Sequence, residues 1–433
     1  MPRALFVSYT FPPVGGAGVQ RLTKWLKYLP QHGWNASVLT VDNPSVPLSD
    51  ASLGPDVPAT TRVVRARTLE PGYSLKAAVA GAGERGRRTS RLQAVSKAVA
   101  GALLQPDPQV LWAPGAVRAG RTLLAEIPHD VIVATGPPFS SFVVGSRLAA
   151  RTRLPLVLDF RDEWDLASRY WENRPRDPLS RFVQERMQAR LLKRARIVLA
   201  TTGRSATALA EKCRLVGSAA RTVCIYNGYD AEDFGSSLPA PAAARRFRLA
   251  YAGTLWALTD VTPLVQGLRL FAERSPQVAA NLEIVFAGRR TEAQTAVLER
   301  AKGLPFQVTL LDYVDHTAAV EMIRTSDALC LLLSDVPGAE RVVPAKLFEY
   351  MAARRPILAI APPGEALELL EGHPAAFGCT PSDPGAMAST IAQLIEARHP
   401  GQQADWRGWS PERFSRARLT AQLAEALGTL GVR

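Results

Sequence analysis

Short apolar runs closed by glycine or proline, each followed by a helical pattern, recur along this chain. Residues 4–8 form the first run, which breaks at Phe11-Pro12-Pro13 and passes through Gly15-Gly16-Ala17-Gly18 into a helical pattern ending near His32. Residues 36–41 read as a second strand. Residues 131–135 lead through Gly136-Pro137-Pro138-Phe139 to Ser140 and Ser141, either of which would cap a helix. A strand at 156–160, apolar but for Asp159, follows, then a helix Pro178–Arg194 and strands at 197–201 and 222–226. The rhythm starts again after a stretch of glycine, serine, proline and alanine, with strands expected at 249–252, 283–287, 308–314 and 326–334 and a helix at 317–324. A helix opened by Pro344 and stopped by Pro356 then feeds a buried strand from Ile357, and further helices are expected beyond Glu365. Strand alternating with helix predicts an α/β protein with parallel sheets. Residues 42–108 break the rhythm. They are irregular and basic, most charged at 83–91, with an amphipathic helix expected at 92–104; a solvated, mobile insertion fits them.

Length turns this pattern into two domains. A chain of 433 residues, 47% of them hydrophobic, can bury two full-sized cores. The expected division is a first domain at 1–234, a linker at 235–246, a second domain at 247–405 and terminal helices at 406–433 that cross back to the first. No run approaches the roughly eighteen apolar residues that span a bilayer, and the first residues read as a strand and not a signal peptide. A cytoplasmic protein is expected, soluble or peripheral at the inner face of a membrane. Cys213, Cys224, Cys330 and Cys379 have no paired metal spacing and read as free thiols.

Charge changes the picture because it is unevenly placed. Residues 1–230 hold 32 Lys and Arg against 17 Asp and Glu, while 231–433 hold 20 against 22. A basic first half fits an anionic lipid surface, an acidic substrate, or only the arginine-rich composition of a GC-rich genome. Nucleic acid is disfavoured, since no aromatic-rich basic motif or zinc-finger spacing accompanies the charge.

Three places carry candidate chemistry. Between Pro344 and Arg354 the only charges are Lys346 and Glu349, one helical turn apart on a helix that is otherwise apolar nearly all round. They form either a site for an anionic, hydroxyl-rich ligand or an ion pair at the edge of a core helix. The strand at 156–160 ends in Arg161-Asp162-Glu163-Trp164, either active-site groups at a strand end or an ion-pair network at a domain surface. Gly15, Gly16 and Gly18 let the backbone approach a ligand, but their GGxG spacing, in place of the dinucleotide GxGxxG, disfavours a dinucleotide dehydrogenase.

Pro344-Ala345-Lys346-Leu347-Phe348-Glu349-Tyr350-Met351, followed by Arg355-Pro356-Ile357-Leu358-Ala359, resembles the donor-binding motif of the retaining family 4 glycosyltransferases. Asp159 to Trp164 reads Asp-x-Arg-Asp-x-Trp, the pattern of a subgroup of that family. The resemblance implies the GT-B fold, two Rossmann-like parallel-sheet domains facing across a cleft, and transfer of a sugar from a nucleotide sugar with retention of configuration. It places Glu349 on the donor ribose. The family's other glutamate, eight positions earlier, is replaced by Arg341 with Glu340 beside it. Gly15, Gly16 and Gly18 would face the transferred sugar, with Arg21 and Trp164 on the acceptor side, while Tyr313 and Val314 would sit by the nucleobase. Relatives carry a basic pair after the glycine equivalent to Gly253. Here Thr254 follows and no basic residue lies in 257–261, so Lys346, Arg289 or Arg290 and backbone N–H groups are expected to hold the diphosphate.

The resulting expectation is a metal-independent glycosyltransferase of glycan, polysaccharide or glycoconjugate biosynthesis, without a cofactor. Its partners would be a nucleotide sugar and a glycan, lipid-linked or small-molecule acceptor, with Asp162 and Arg161 as the catalytic pair. Two alternatives stay open: a catalytically silent sugar-nucleotide binder, suggested by the missing glutamate and basic pair, and a nucleotide-sugar epimerase of the same form.

Overall fold

The computed structural model describes residues 1–45, 49–72, 104–170, 178–235, 246–397 and 405–431. The charged piece at 83–91, nearly all of the helix expected at 92–104 and the linker residues 236–245 lie outside the described residues. The chain divides into two compact units, Met1–Tyr226 with Thr420–Arg433, and Asn227–Leu419.

The first unit is built on a seven-stranded parallel sheet of β1 (Arg3–Val7), β2 (Asn35–Val41), β3 (Arg62–Ala66), β4 (Val131–Gly136), β5 (Leu156–Phe160), β6 (Ile197–Ala200) and β7 (Arg221–Cys224). Its order is β3-β2-β1-β4-β5-β6-β7. Leu5 of β1 pairs with Ser37 on one side and Ile132 on the other. Every residue of β4 and β5 is buried, as continuous apolar runs require when helices cover both faces of a sheet. The second unit repeats the plan with six strands, β8 (Phe247–Ala252), β9 (Leu282–Ala287), β10 (Gln307–Leu311), β11 (Ala328–Leu332), β12 (Ile357–Ile360) and β13 (Ala376–Cys379), ordered β10-β9-β8-β11-β12-β13. Both sheets are those of the two-domain, Rossmann-like α/β class expected of a GT-B protein.

Strand order reverses between β1 and β4 in one sheet and between β8 and β11 in the other. At such points the loops leaving the carboxyl ends of the strands diverge and open a crevice. The glycine turns at 15–18 and at Gly253 leave β1 and β8, the strands that border the two reversals.

Several expectations need correction. β3 lies within the stretch read as irregular; it is an edge strand with Arg62 and Arg65 exposed, so it lacks the apolar run that marks a buried strand. β13 was not anticipated, and it too is an edge strand with only Cys379 buried. The helix Ala113–Glu126 was not anticipated. Neither Ser140 nor Ser141 caps the helix Ser140–Thr152; its N-cap is Phe139, and the Ser141 hydroxyl accepts from the Tyr9 N–H at 3.2 Å. The helix expected from Pro344 begins at Lys346, after a tight turn closed by Leu347 N–H to Pro344 C=O at 2.9 Å. Its Leu347, Phe348, Tyr350 and Met351 are buried, as its apolar pattern implied.

Residues 227–230, expected to close the first domain, pair inside the second unit instead. Tyr229 donates to Phe414 C=O at 3.1 Å, and the Arg416 N–H returns to Tyr229 C=O at 2.7 Å. Gly228 has φ +68°, and a Cβ there would lie 2.4 Å from the Phe414 carbonyl oxygen. Gly228→Ala should therefore cost ~2–4 kcal/mol, combining left-handed strain with overpacking against backbone. The urea midpoint of the second unit should fall at unchanged m-value, and a shift equivalent to less than ~1 kcal/mol would show that the two segments can separate freely.

Candidate functional site

Each unit presents its candidate residues at the carboxyl edge of its own sheet. In the first, Asp159, next to last in β5, is fully buried. Arg21 from the helix Ala17–Tyr28 meets it with Nε to Oδ2 at 3.3 Å and Nη2 to Oδ1 at 3.0 Å, while Nη1 donates to the carbonyls of Ile225 and Tyr226 at 2.9 Å each. The guanidinium also lies 4.3 Å from the Trp25 ring. Arg21 was expected on the acceptor side. It is 1% exposed and its hydrogen bonds go to the core, so it ties β5, the helix and the strand-end carbonyls together. Trp164 is corrected likewise: it is 1% exposed, stacks on Phe139 at 4.3 Å and donates to Gln184 at 2.8 Å. It supports the core beneath the loop.

Arg161 and Asp162 behave differently. The Arg161 guanidinium donates to Gly18 C=O at 3.1 Å, and a Cβ on Gly18 would lie 2.7 Å from its carbon, so the glycine is what lets this arginine lie against the loop. Gly15 is buried, and Gly16 opens the helix at φ +113°. Burial lowers the Arg161 pKa, opposed by Asp159 and Asp162 and assisted by Arg21. The Asp162 side chain is exposed, yet the protein packed around it withdraws enough water to raise its carboxyl above the usual range, against the pull of Arg161 and with Asp159 adding to the rise.

In the second unit the centre is Lys346. Its ammonium sits 3.7 Å from the centroid of the buried Tyr251 ring. A Cβ on Gly253, which has φ +132°, would lie 2.6 Å from Nζ. Gly288, the equivalent turn after β9, packs so closely that a Cβ there would lie 2.2 Å from the Gly253 carbonyl oxygen. Two adjacent strands thus end in stacked glycine turns with a lysine pressed against one of them. Among the described residues Lys346 has no hydrogen bond and no ion pair. The pair with Glu349 does not form. Desolvation lowers the Lys346 pKa to about 7, with Cys330 and Glu349 acting weakly the other way.

Glu349 instead meets His316, whose Nε2 lies 3.0 Å from Oε1, and His316 Nδ1 lies 3.9 Å from Asp233 Oδ2. Neither residue was anticipated. His316 opens the helix His316–Thr325, just past Tyr313 and Val314, but nothing local links it to a carboxylate 33 positions away. Tyr313 is 37% exposed, and Val314 is half-buried. Arg289 is exposed, whereas Arg290 is occupied by Asp312 at 2.9 Å and the carbonyls of Gly288 and Leu311 at 2.8 and 2.5 Å. That removes Arg290 from the residues able to turn to a phosphate. Thr254 is exposed, and its carbonyl is fixed by Tyr251 and Thr259 hydroxyls at 2.9 and 2.8 Å. Glu340 and Arg341 pair weakly at 3.8 Å in the turn Ala339–Arg341. A Cβ on Gly364 would lie 2.6 Å from Glu340 Cα, so that glycine lets the two backbones touch.

Residues 15–228 match the glycosyl transferase 4-like domain, and residues 248–397 match the glycosyl transferases group 1. The chain belongs to the glycosyltransferases. Its fold is that of HepE from Anabaena crystallised with UDP and glucose, at TM-score 0.64 and 18% identity over 99% of this chain and 100% of that one. The trehalose 6-phosphate synthase of Burkholderia multivorans is also similar, at TM-score 0.62 and 13% identity over 100% of this chain and 99% of that one. WaaB, a lipopolysaccharide outer core galactosyltransferase in its apo form, gives TM-score 0.54 and 12% identity over 99% and 100% of the two chains. No curated protein sequence matches the chain.

The lysine of this glycosyltransferase makes a testable demand on stability. Its folded pKa near 7 lies below the ordinary value of 10.5, so between these values the unfolded chain binds more protons and stability rises with pH. Lys346→Met removes that dependence. The variant should gain most over the wild type in urea unfolding at or below pH 7, and the gain should shrink toward pH 10. A difference that stays constant with pH would show the lysine to be solvated.

Proposed function

We propose that this glycosyltransferase takes a nucleoside diphosphate sugar and passes the sugar to an acceptor hydroxyl with retention of configuration. The observation that carries the reading is Lys346, a desolvated ammonium without an anionic partner among the described residues, held at a glycine turn beside a carboxylate on its own helix. A diphosphate would supply the missing anion, and Glu349 would accept hydrogen bonds from ribose hydroxyls once His316 yields part of its contact. Exposed Arg289 would add charge at the next strand end. HepE, of the same fold, was crystallised with UDP-glucose, which favours a uridine nucleotide here. The acceptor is a glycan, a lipid-linked or a small hydroxyl compound, and the pathway one of glycan or glycoconjugate synthesis.

Retention is assigned to same-face attack. The bond from the anomeric carbon to the leaving phosphate oxygen breaks as the bond to the acceptor oxygen forms, and the acceptor's proton passes to the departing diphosphate. Double displacement needs a carboxylate close beneath the anomeric carbon, and the family's candidate is replaced by Arg341. Asp162 then orients the acceptor hydroxyl or stabilises positive charge on the sugar without bonding to it, with Arg161 holding the glycine loop in place.

In calorimetry, Glu349→Ala should weaken UDP binding by ~1.5–3 kcal/mol, the scale of a lost hydrogen bond to a charged group. Unchanged affinity in a folded variant would remove the ribose role. Asp162→Asn should slow hydrolysis of UDP-glucose strongly while leaving UDP affinity nearly intact, and the first glucose released by the wild type should be the α anomer in proton NMR. Release of the β anomer would overturn retention, and UDP binding without any turnover would leave the silent-binder alternative.

A further inference from the structure

The first unit carries a second feature that sugar transfer does not use, a groove of about 550 Å³ between the helices Ser140–Thr152 and Pro178–Arg194. Its floor is apolar, formed by Val143, Val183, Met187 and Leu191. Arg147, Arg186, Arg190 and Arg194 line it as well, and all four are exposed. Arg186 lies over the Phe182 ring at 4.8 Å, and Arg194 donates to Ser146 at 3.1 Å. Among the described residues no carboxylate pairs with any of the four. The helix Pro178–Arg194 holds five basic residues against the single acid Glu185, and Leu179 and Phe182, neighbours on one face of its first turns, are 61% and 53% exposed.

We propose that this groove and the flanking face of Pro178–Arg194 form a docking surface for an anionic phospholipid membrane. Guanidinium groups pair bidentately with lipid phosphate, while exposed Leu and Phe beside them enter the acyl boundary, the division of labour of an interfacial amphipathic helix. Among the described residues no helix is long and apolar enough to cross a membrane, so the contact is peripheral. A second copy of the chain is a poor occupant, because a symmetric contact would set the arginine face against itself. Nucleic acid has little use for the apolar floor. The excess of basic charge in residues 1–230 adds a general attraction of this half of the chain to an anionic surface. The inference is independent of the nucleotide chemistry.

Co-sedimentation of the full chain with vesicles tests it. Binding is expected with mixed phosphatidylglycerol and phosphatidylcholine, absent with phosphatidylcholine alone, and weaker as salt shortens the screening length below ~8 Å. Arg186→Ala with Arg190→Ala should lower the partition at least ~tenfold. Arg118→Ala with Arg121→Ala, the same charge change on the helix Ala113–Glu126, should leave it within about twofold. Phe182→Ser should abolish the part of the binding that survives high salt. Absence of phosphatidylglycerol-dependent binding, or equal loss from both arginine pairs, would overturn the proposal, as would a Phe182→Ser variant that changes the oligomeric state and not vesicle binding.

Discussion

A half-buried lysine ammonium pressed against a backbone turn, with no counter-ion among the described residues, is the constraint around which the second unit is arranged. Desolvating a cation without pairing it is unfavourable, and proteins keep such groups where a ligand will complete them. Here the cost is met by geometry that only a few residue types permit. Gly288 lets the end of β9 touch Gly253, Gly253 lets the end of β8 touch Lys346, and Tyr251 lays its ring beneath the ammonium. A side chain at either glycine would push the lysine from the strand ends. Because Lys346 leaves Glu349 unpaired, the carboxylate is free to be positioned by His316, and the two charges of one short helix serve separate partners.

The first unit shows the opposite use of charge. Arg21 and Asp159 are both buried and fully engaged, so they fix the carboxyl ends of the strands without facing solvent. Arg161, two residues past Asp159, lies against Gly18 and ties the glycine loop to the same sheet edge. Asp162 is the acid of this cluster left exposed with a raised pKa, which suits a group that meets an uncharged hydroxyl. The ion pair therefore acts as scaffold, and its chain neighbours Arg161 and Asp162 are the residues to which the proposed function assigns chemistry.

Much of this was legible in the sequence, for a physical reason. Buried parallel strands are continuous apolar runs, so β1, β2, β4, β5, β6, β8, β9, β11 and β12 are visible from composition alone, and the turns that follow β1 and β8 announce themselves by glycine. Of the edge strands, β7 and β10 keep enough apolar residues to be expected from the sequence, whereas β3 and β13 share their exposed faces with solvent and escape notice. Lys346, Glu349, Arg161 and Asp162 stood out as charges at the ends of apolar stretches. What the sequence could not decide was partnership. The separation of 138 residues between Arg21 and Asp159, and of 33 between His316 and Glu349, is set by the sheet and not by any local spacing. Arg21 and Trp164 were thus read outward when they point inward, and the pairing of Glu349 with His316 in place of Lys346 has no local signal in the sequence.

The most direct test of the account compares UDP with uridine by calorimetry on the wild type and on Lys346→Met. If Lys346 waits for a diphosphate, the wild type should bind UDP far more tightly than uridine, and the variant should lose most of that difference, ~1.5–3 kcal/mol, while its affinity for uridine stays nearly constant. A variant that keeps the full preference for UDP would show that the diphosphate is held elsewhere and would contradict the central role given to this lysine.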